Sequence, residues 1–575
     1  MSSEYRLETS VEPKNLKRVI ALAGTEWSGK LTPEEFAEIH SKQLVDFILK
    51  GNPGRAFYFE SKSGDILATC IITQHKALYK EAGVSTIGTM PDPSSFGVNN
   101  ITAIRLSYVF VAKEARGKGL MGSLIPQAIE YTEAEILKKE LAKSSDKKDS
   151  FRSMVQDGNS IDQTLVRHYL GKKYVWYLYS AIDSAYAKFG FKAYPLEGYK
   201  LDWRLSSGEM NSLVKKLLSS DGSKEIGKKL RLLDGTKASD RQLIDQIIQG
   251  KSLEILTDLN KNVYHSELQG DSHSSSSFTS LSSALSASRR GSARDLSFAA
   301  EKDSSSGSKQ EASSATVEFN EVCFGSSGKS ASVGSITDAA EIQQRRKSSI
   351  LSLGCPKFAI LPEVSELDRN FAGTKETAEK VGTEVNRNYS SVYGAILTNE
   401  LQKKSFYILW MLIKGIDFTI VAMGELRFDL FGMMADPLGT SSAPGRRRSS
   451  SFTGINDMGG FNFQDLDLLV STAVHVAHNT ALFPEAGSVF VNLNDLPTTI
   501  PKPVLHDFFL NYLPKAYDPR DANTTPDEPS EEQARLVTYM KNFSDNQVLP
   551  MLRKYGSNDG NFELDWVANS LITWG

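Results

Sequence analysis

Three glycines at a fixed spacing follow an apolar run and open a predicted helix in the stretch ARGKGLMGSL, residues 115–124. Gly117, Gly119 and Gly122 satisfy the pattern G-x-G-x-x-G, and Arg116 stands directly before them. A strand that leads through such a turn into a helix presents free backbone N–H groups and the positive end of the helix dipole at one point. A phosphate group is the natural ligand there, because glycine lets the backbone approach closely and arginine adds charge.

The glycine pattern alone leaves three interpretations open: a dinucleotide site, a site for another pyrophosphate, and an ordinary turn. A dinucleotide-binding unit needs a parallel βαβ of about 30 residues, with an acidic residue about 20 residues after the glycines. Here the next convincing strand, Tyr174–Tyr179, begins some 50 residues after Gly122. A pair of helices and a hairpin also precede the glycines. This order of elements argues against an NAD-dependent dehydrogenase.

The elements that position the turn follow from hydrophobic periodicity and turn residues. The pattern predicts a strand, helices, a β-hairpin, a strand, a helix, a strand and a short helix, in that order. The strand before the turn alternates, so Ile104, Leu106, Tyr108 and Phe110 are predicted to share one face. The predicted strands are Tyr5–Thr9, Arg55–Ser61, Ile66–Gln74, Ile104–Ala112 and Tyr174–Tyr179, and the predicted helices follow the cap Thr32 or span Leu120–Lys139 and Ala181–Phe189.

Composition divides the rest of the chain. Twenty-five of the 80 residues from Asp271 to Ile350 are serine, and none is Trp or Tyr, so this segment buries too little apolar surface to offset its ordering entropy. Alternating strand and helix patterns return near Lys357. No internal repeat of fixed period stands out. The sequence predicts an α/β protein with an N-terminal domain at 1–204, a helical connector at 205–268, a disordered Ser-rich linker at 269–353, and a C-terminal α/β domain at 354–575 with a disordered loop at 438–455.

Two motifs in this order resemble the GNAT N-acetyltransferase superfamily. Its signature on the pyrophosphate turn of acetyl-coenzyme A is Arg or Gln, two residues, Gly, one residue, and Gly or Ala. The segment RGKG at 116–119 matches, whereas Met121 stands at the last position and Gly122 follows one place later. The segment YAKFGF at 186–191 resembles the family's tyrosine motif after the fifth strand. The resemblance implies a mixed, mostly antiparallel sheet flanked by helices in the N-terminal domain.

The resemblance also implies which residues meet acetyl-coenzyme A, with no metal involved. The strand before the turn would separate from its neighbour, and the backbone of Val109, Phe110 and Val111 would pair with the pantetheine arm. The residues implied at the pyrophosphate are Arg116, Gly117, Lys118, Gly119, Leu120, Met121 and Gly122. Tyr186 is the implied catalytic residue: its ordinary pKa, about 10, keeps it protonated and able to return a proton to a thiolate of pKa about 8.5. Tyr179 stands where the family often has asparagine.

The acceptor amine has to lose a proton before it attacks. For an alkylammonium of pKa about 10.4, becoming neutral near pH 7.4 costs roughly 4 kcal/mol, so a base is expected. No spacing singles out one base among the candidates Glu26, His40, Glu60 and His168.

A finer resemblance is to the fungal lysine acetyltransferases of lysine catabolism, which join an N-terminal GNAT domain to a family-specific C-terminal domain. It rests on the strand at 174–180, the restart FAILP at 358–362 and the ending from Leu564 onward. It implies free L-lysine as the acceptor, through its side-chain amine. The alternative is a catalytically degenerate GNAT fold that binds coenzyme A or a partner and serves as a regulated scaffold.

Charge and composition bear on partners and location. The net charge is −3, from 66 basic and 69 acidic residues, which gives no general attraction to nucleic acid or to anionic lipid. The three cysteines have neither disulfide nor metal spacing, and no apolar run reaches the ~18 residues of a membrane span. His475 and His478 lie at i, i+3 on a predicted helix, and we interpret them as ordinary helix residues rather than metal ligands. We predict that the protein is located in the cytoplasm, with the nucleus as a second location.

Basic runs precede serines in the Ser-rich parts: Arg289–Ser292, Arg345–Ser349 and Arg446–Ser450. Arginines two and three residues before a serine are typical of substrates for an Arg-directed protein kinase, which we predict as a partner. Chance arginines beside abundant serines are the alternative.

Overall fold

The computed structural model describes residues 5–82, 98–143, 151–158, 160–207, 209–219, 227–260, 355–413, 417–426, 461–480, 488–517, 536–541 and 548–574. These residues fall in one compact unit that joins the range 1–261 to the range 355–575. The predicted Ser-rich linker at 269–353, the predicted loop at 438–455 and the three predicted kinase motifs lie outside the described residues.

The described residues form strands and helices in both halves of the chain. The strands are Tyr5–Ser10 (β1), Gly54–Ser61 (β2), Ile66–Lys80 (β3), Val98–Val111 (β4), Gln156–Asp157 (β5), Ser160–Ile161 (β6), Tyr174–Ser180 (β7), Lys192–Ala193 (β8), Gly198–Asp202 (β9), Lys228–Asp234 (β10), Lys357–Ile360 (β11), Val392–Asn399 (β12), Lys404–Ile413 (β13), Asp417–Glu425 (β14), Ser488–Asn492 (β15), Val537–Met540 (β16), Leu549–Lys554 (β17) and Asp565–Trp566 (β18). The α-helices are Pro13–Trp27 (α1), Pro33–Leu49 (α2), Leu120–Ala142 (α3), Phe151–Val155 (α4), Gln163–Leu170 (α5), Glu209–Leu218 (α6), Ala238–Asn260 (α7), Val364–Val381 (α8), Glu384–Tyr389 (α9), Phe463–Thr480 (α10), Lys502–Asp507 (α11) and Leu513–Ala516 (α12).

The first sheet orders its strands β1-β2-β3-β4-β7-β17-β8, and β11 pairs with the end of β3. Strands β1 to β4 are antiparallel, and β17 lies antiparallel between β7 and β8. Strand β4 is parallel to β7 only from Thr102↔Tyr174 to Arg105↔Tyr177. Beyond Arg105 the two strands stop pairing, so a gap opens between them on the way to the glycine turn. The predicted separation of this strand from its neighbour is confirmed.

The second sheet repeats this topology strand for strand. Its order is β10-β12-β13-β14-β15-β9-β16. Strands β10 to β14 are antiparallel, β14 is parallel to β15, and β9 lies antiparallel between β15 and β16. The fold therefore contains an internal repeat that the sequence pattern does not show.

The two sheets exchange strands, and the first sheet also takes β11 and β18 from the C-terminal range. Strand β9 follows β8 of the first sheet along the chain but lies inside the second sheet, and β17 follows β16 of the second sheet but lies inside the first. The ranges 1–204 and 354–575, predicted as separate domains, therefore each supply a strand to the sheet of the other. Within the predicted helical connector, β10 forms the edge of the second sheet between α6 and α7.

A β-bulge interrupts β4 just after the parallel pairing ends. Two residues, Tyr108 and Val109, lie opposite the single residue Cys70 of β3, and Tyr108 has a φ of +49°. The prediction that Tyr108 and Phe110 share a face with Ile104 and Leu106 is therefore wrong, since Val109 and Val111 lie on that face instead. The bulge turns Tyr108 to the other face, where it packs against the cluster of α1 and α2, because an inserted residue shifts the two-residue alternation.

The predicted fold class is confirmed, since both halves are α/β with mixed, mostly antiparallel sheets flanked by helices. Thr32 caps α2 with a capping box and Pro33 follows in the first turn, as predicted. One face of the first sheet packs against α3 and α5; the other packs against α1 and α2 at one end and against C-terminal residues such as Phe358 and Trp566 at the other. Among the residues described, no helix is long and apolar enough to cross a membrane.

Candidate functional site

The glycine turn lies exposed at the start of α3. Gly117 and Gly119 have φ values of +79° and +74°, in the left-handed region that favours glycine. A Cβ added at Gly117, Gly119 or Gly122 would meet no atom within 4 Å, so the surface over the turn is open. Gly119 is the N-cap of α3 and provides no side-chain cap, so the first N–H groups of the helix remain for a ligand. The turn therefore has the free donors and the backbone access that a pyrophosphate needs.

Arg116 holds its guanidinium over the same turn. Its Nε donates to the Val111 carbonyl oxygen at 3.2 Å, and its Nη2 lies 2.5 Å from Glu26 Oε1. The guanidinium carbon also lies 5.4 Å from the centre of the Phe110 ring. Glu26, which the sequence offers as a candidate base, is thus the ion-pair partner of the predicted phosphate ligand. Lys118 is exposed in the turn, Leu120 is buried below it, and Met121 packs against the core.

At the end of β4, the main-chain N–H and C=O groups of successive residues point alternately toward β3 and toward the gap. The Ala112 N–H donates to the Leu67 carbonyl of β3 at 2.8 Å. Because main-chain groups alternate along a strand, those of Phe110 also face β3, whereas those of Val111 face the gap that β7 has left. Val109 belongs to the bulge. Val111 is thus the residue of the three with the clearest main-chain access to the gap.

Tyr186 lies in the short 3₁₀ helix Asp183–Phe189, which follows β7 on the other side of the gap. Its side chain is 7% exposed and belongs to the same core as Cys70 and the start of α3. Its ring lies 6.4 Å from that of Phe189 and 6.3 Å from that of Phe191. Burial, and then the nearby Cys70 thiol, raise the pKa of Tyr186 well above its ordinary value. The phenol therefore keeps its proton throughout the physiological pH range.

The predicted base candidates have different surroundings. His40 Nδ1 lies 3.1 Å from the hydroxyl of the bulged Tyr108, and burial lowers the pKa of His40 to about 4, so the ring is neutral at pH 7. Glu60 pairs with Arg18 at 2.9 Å. His168 is exposed on α5. Of the four, His40 is the one placed against the bulge beside the gap.

Several residues around the gap gave no sequence signal. Trp27, at the end of α1, is 42% exposed, and its ring lies 5.5 Å from Phe110 and 6.1 Å from Tyr108. Tyr179, which stands where the family often has asparagine, bonds the C-terminal segment: its Oη lies 3.0 Å from the Ser570 carbonyl oxygen and 2.6 Å from Thr573 Oγ1. These contacts depend on the bulge and on the C-terminal segment, and neither follows from local spacing.

The second sheet has different chemistry at the corresponding helix start. The first turn of α10 contains Asp465, which is fully buried and lies 2.7 Å from Lys228 Nζ. Asn399 Nδ2 donates to the same carboxylate at 3.2 Å. The positive end of this helix thus already holds a carboxylate that is paired inside the protein. The open anion site of the described residues therefore belongs to the first sheet.

His475 is buried on α10: its Nδ1 lies 2.9 Å from Asn211 Oδ1 and its Nε2 lies 3.4 Å from Tyr389 Oη. His478 packs against Trp203. Within the described ranges, no group of three or more His, Cys, Asp or Glu side chains is placed to hold a metal ion.

No protein-family model and no curated protein matches the chain. Solved structures align with it at low sequence identity and low TM-score. The GCN5-related N-acetyltransferase from Kribbella flavida is 11% identical with a TM-score of 0.31, over 96% of this chain and 72% of that chain. A probable N-acyltransferase from Enterococcus faecalis V583 is 10% identical with a TM-score of 0.32, over 86% and 69%. The GNAT family N-acetyltransferase YhbS from Escherichia coli, solved in complex with CoA, is 9% identical with a TM-score of 0.19, over 33% and 69%. These likenesses concern the fold, and the function has to follow from the site's own residues.

Proposed function

We propose that this chain is an N-acetyltransferase that moves an acetyl group from acetyl-coenzyme A to a primary amine. The observation that carries the proposal is the arrangement around the gap: β4 and β7 stop pairing after Arg105 and Tyr177, the open glycine turn lies at the end of β4, and Tyr186 follows β7. A phosphate-bearing ligand bound at the turn can extend along the unpaired edge of β4 toward the phenol.

The residues divide the work by their chemistry. The N–H groups at Gly117, Gly119 and the start of α3 would hold the pyrophosphate, and Arg116 would add charge. The Val111 N–H would bind an amide of the pantetheine arm. Acetyl-coenzyme A supplies an activated acetyl group, and Tyr186 would hold the proton that the departing thiolate takes up.

We propose free L-lysine as the acceptor, cytoplasm or nucleus as the location, and an Arg-directed kinase as a partner of the Ser-rich segments. The resemblance of the strand at 174–180, the FAILP segment at 358–362 and the ending from Leu564 onward to the fungal lysine acetyltransferases supports the lysine proposal. The kinase proposal is supported only by the basic runs before serines, and the proposed location only by the composition.

The test combines calorimetry with a thiol-release assay. We expect the purified chain to bind acetyl-coenzyme A and not NAD, and to release coenzyme A in the presence of L-lysine. Tyr186→Phe should retain coenzyme binding and lose about 100-fold or more in kcat, since general acids contribute about 10²–10⁴-fold. Tyr169→Phe, on α5, is the matched control and should retain activity. Absence of acetyl-coenzyme A binding would refute the proposal, and binding without turnover with any amine would favour the scaffold.

A further inference from the structure

A group of polar side chains lies buried on the face of the first sheet opposite Tyr186. We name it the opposite-face cluster: His75 on β3, Arg105 on β4, Tyr177 on β7, and Glu366 and Arg369 on α8. The neighbours of Tyr177 in β7, residues 176 and 178, pack in the core that contains Tyr186, whereas Tyr177 packs in a different core with Trp566. The cluster and the phenol therefore lie on the two faces that the gap connects.

The side chains of the cluster contact one another. His75 Nδ1 lies 3.1 Å from Glu366 Oε1, and Arg369 forms an ion pair with the same carboxylate. The His75 ring lies 5.9 Å from that of Tyr177. Arg105 interacts electrostatically with His75, Tyr177 and Glu366. Two guanidinium groups and one carboxylate thus converge on a buried tyrosine.

Two donors of the cluster lack an acceptor. The Tyr177 side chain is fully buried, and its hydroxyl makes no hydrogen bond with any residue that the structure describes. Arg369 Nε is also buried and makes no hydrogen bond with any of the described residues. Folded proteins leave few buried polar atoms unsatisfied, and each one calls for an explanation such as a ligand. Arg369 Nε can only donate a hydrogen bond, whereas the Tyr177 hydroxyl can donate as well as accept one, so a ligand that accepts hydrogen bonds would satisfy both groups.

The cluster lies at the end of the parallel ladder, beside the gap. Arg105 and Tyr177 form the last pair of the parallel ladder, directly before the gap. Arg105 is only partly buried, as is Tyr108 beyond it, so the cluster borders the surface along β4. A molecule held here reaches the gap from the face opposite the proposed coenzyme site.

We propose that the opposite-face cluster binds the carboxylate of the acceptor, so that the substrate class is small primary amines that carry a carboxylate. Tyr177 and Arg369 would donate to the carboxylate, and Arg105 would add positive charge. The inference rests on the proposed acetyltransferase function. It adds that residues of the second half of the chain, on α8, select the acceptor for a transfer site on the first sheet.

The first experiment uses Tyr177→Phe with Tyr179→Phe as the matched control, two residues away on the same face. The Tyr177 hydroxyl bonds no described residue, so its removal should leave the melting temperature equal or higher. Loss of a hydrogen bond to a carboxylate should raise the acceptor KM on the order of 10- to 100-fold, with the KM of acetyl-coenzyme A unchanged. Tyr179→Phe loses two hydrogen bonds to the C-terminal segment and should lower the melting temperature while leaving the acceptor KM unchanged.

The second experiment compares amines that differ only in the carboxylate, in the same thiol-release assay. The pairs are lysine with 1,5-diaminopentane, ornithine with 1,4-diaminobutane, and 2,4-diaminobutyrate with 1,3-diaminopropane. In at least one pair, we expect kcat/KM for the amino acid to exceed kcat/KM for the diamine by about tenfold or more. In Tyr177→Phe this ratio should be smaller. Equal or better use of the diamines, no turnover of any amino acid despite coenzyme binding, or an unchanged acceptor KM in Tyr177→Phe would overturn the inference. Failure of the chain to bind acetyl-coenzyme A would instead refute the proposed function.

Discussion

Glu26 forms an ion pair with Arg116, the residue proposed to bind the pyrophosphate, so we predict that Glu26 lowers the affinity for the coenzyme. The side chains of Arg116 and Glu26 are 46% and 43% exposed, with Nη2 and Oε1 2.5 Å apart. Exposed ion pairs of this kind contribute about 0.2–1 kcal/mol. If coenzyme binding breaks the pair, that free energy is subtracted from the binding free energy. Glu26→Gln should therefore tighten acetyl-coenzyme A binding by about 1.4- to 5-fold.

The assay is calorimetry with acetyl-coenzyme A at low and high salt. At high ionic strength the pair is screened, since the Debye length falls to about 3 Å at 1 M salt, so the effect of Glu26→Gln should disappear there. Glu38→Gln on α2 is the control, because it removes an exposed ion pair with Lys17 at a distance from the turn. With Arg116→Gln already present, Glu26→Gln should change the affinity less than it does in the wild type.

Weaker binding in Glu26→Gln would refute this reasoning. It would mean that Glu26 positions the guanidinium for the ligand rather than competing with it, as a carboxylate that orients a phosphate ligand does. An unchanged affinity at low salt, together with an effect of Arg116→Gln, would mean that the pyrophosphate and Glu26 contact Arg116 at the same time.

Three further predictions concern the turn, the strand exchange and a buried carboxylate. Gly119→Ala should weaken acetyl-coenzyme A binding and destabilise the fold by about 1–2 kcal/mol. Gly64, in an open hairpin turn, has a similar positive φ, so Gly64→Ala should cost similar stability and leave binding unchanged. Calorimetry and thermal melts on both variants test this. Truncation after Lys541 removes β17 from the first sheet, so it should abolish coenzyme binding in calorimetry although every predicted coenzyme residue remains. Burial raises the pKa of Asp495 to about 7, so its protonated form is favoured in the folded state and stability is lost as pH rises from about 4 through 7. The free energy of unfolding of Asp495→Asn relative to wild type should therefore increase by about 4 kcal/mol between pH 4 and pH 8 in urea titrations, and a constant difference would contradict the burial effect.

Local patterns predicted the parts of the site that local physics determines. Gly117 and Gly119 have positive φ values and an open backbone, and the spacing of the glycines alone predicts a turn of this kind. The helix after Thr32 follows from a proline and a capping box that lie within four residues of each other. Where a feature depends on a few neighbouring residues, the pattern and the structure agree.

Features that depend on residues far apart could not be predicted in this way. The bulge at Tyr108 arises from the pairing of β4 with β3, so two-residue alternation placed that side chain on the wrong face. Glu366 contacts His75 across almost 300 positions of sequence. The exchanged strands β9 and β17 were not predicted, and nothing in a strand's own sequence says which sheet it will join.

The strand exchange explains how one site draws on both halves of the chain. Strand β17 lies against β7 from Leu549↔Ser180 to Lys554↔Val175, so a C-terminal strand supports the strand that carries Tyr177 and leads to Tyr186. Helix α8, which belongs to the second half, sets Glu366 against His75 of the first sheet. The second sheet repeats the topology, but the described part of its helix start holds a buried carboxylate in an ion pair with Lys228, so we expect it to bind no coenzyme of its own. A coenzyme-binding stoichiometry of one per chain follows from this arrangement, and a stoichiometry of two would contradict it.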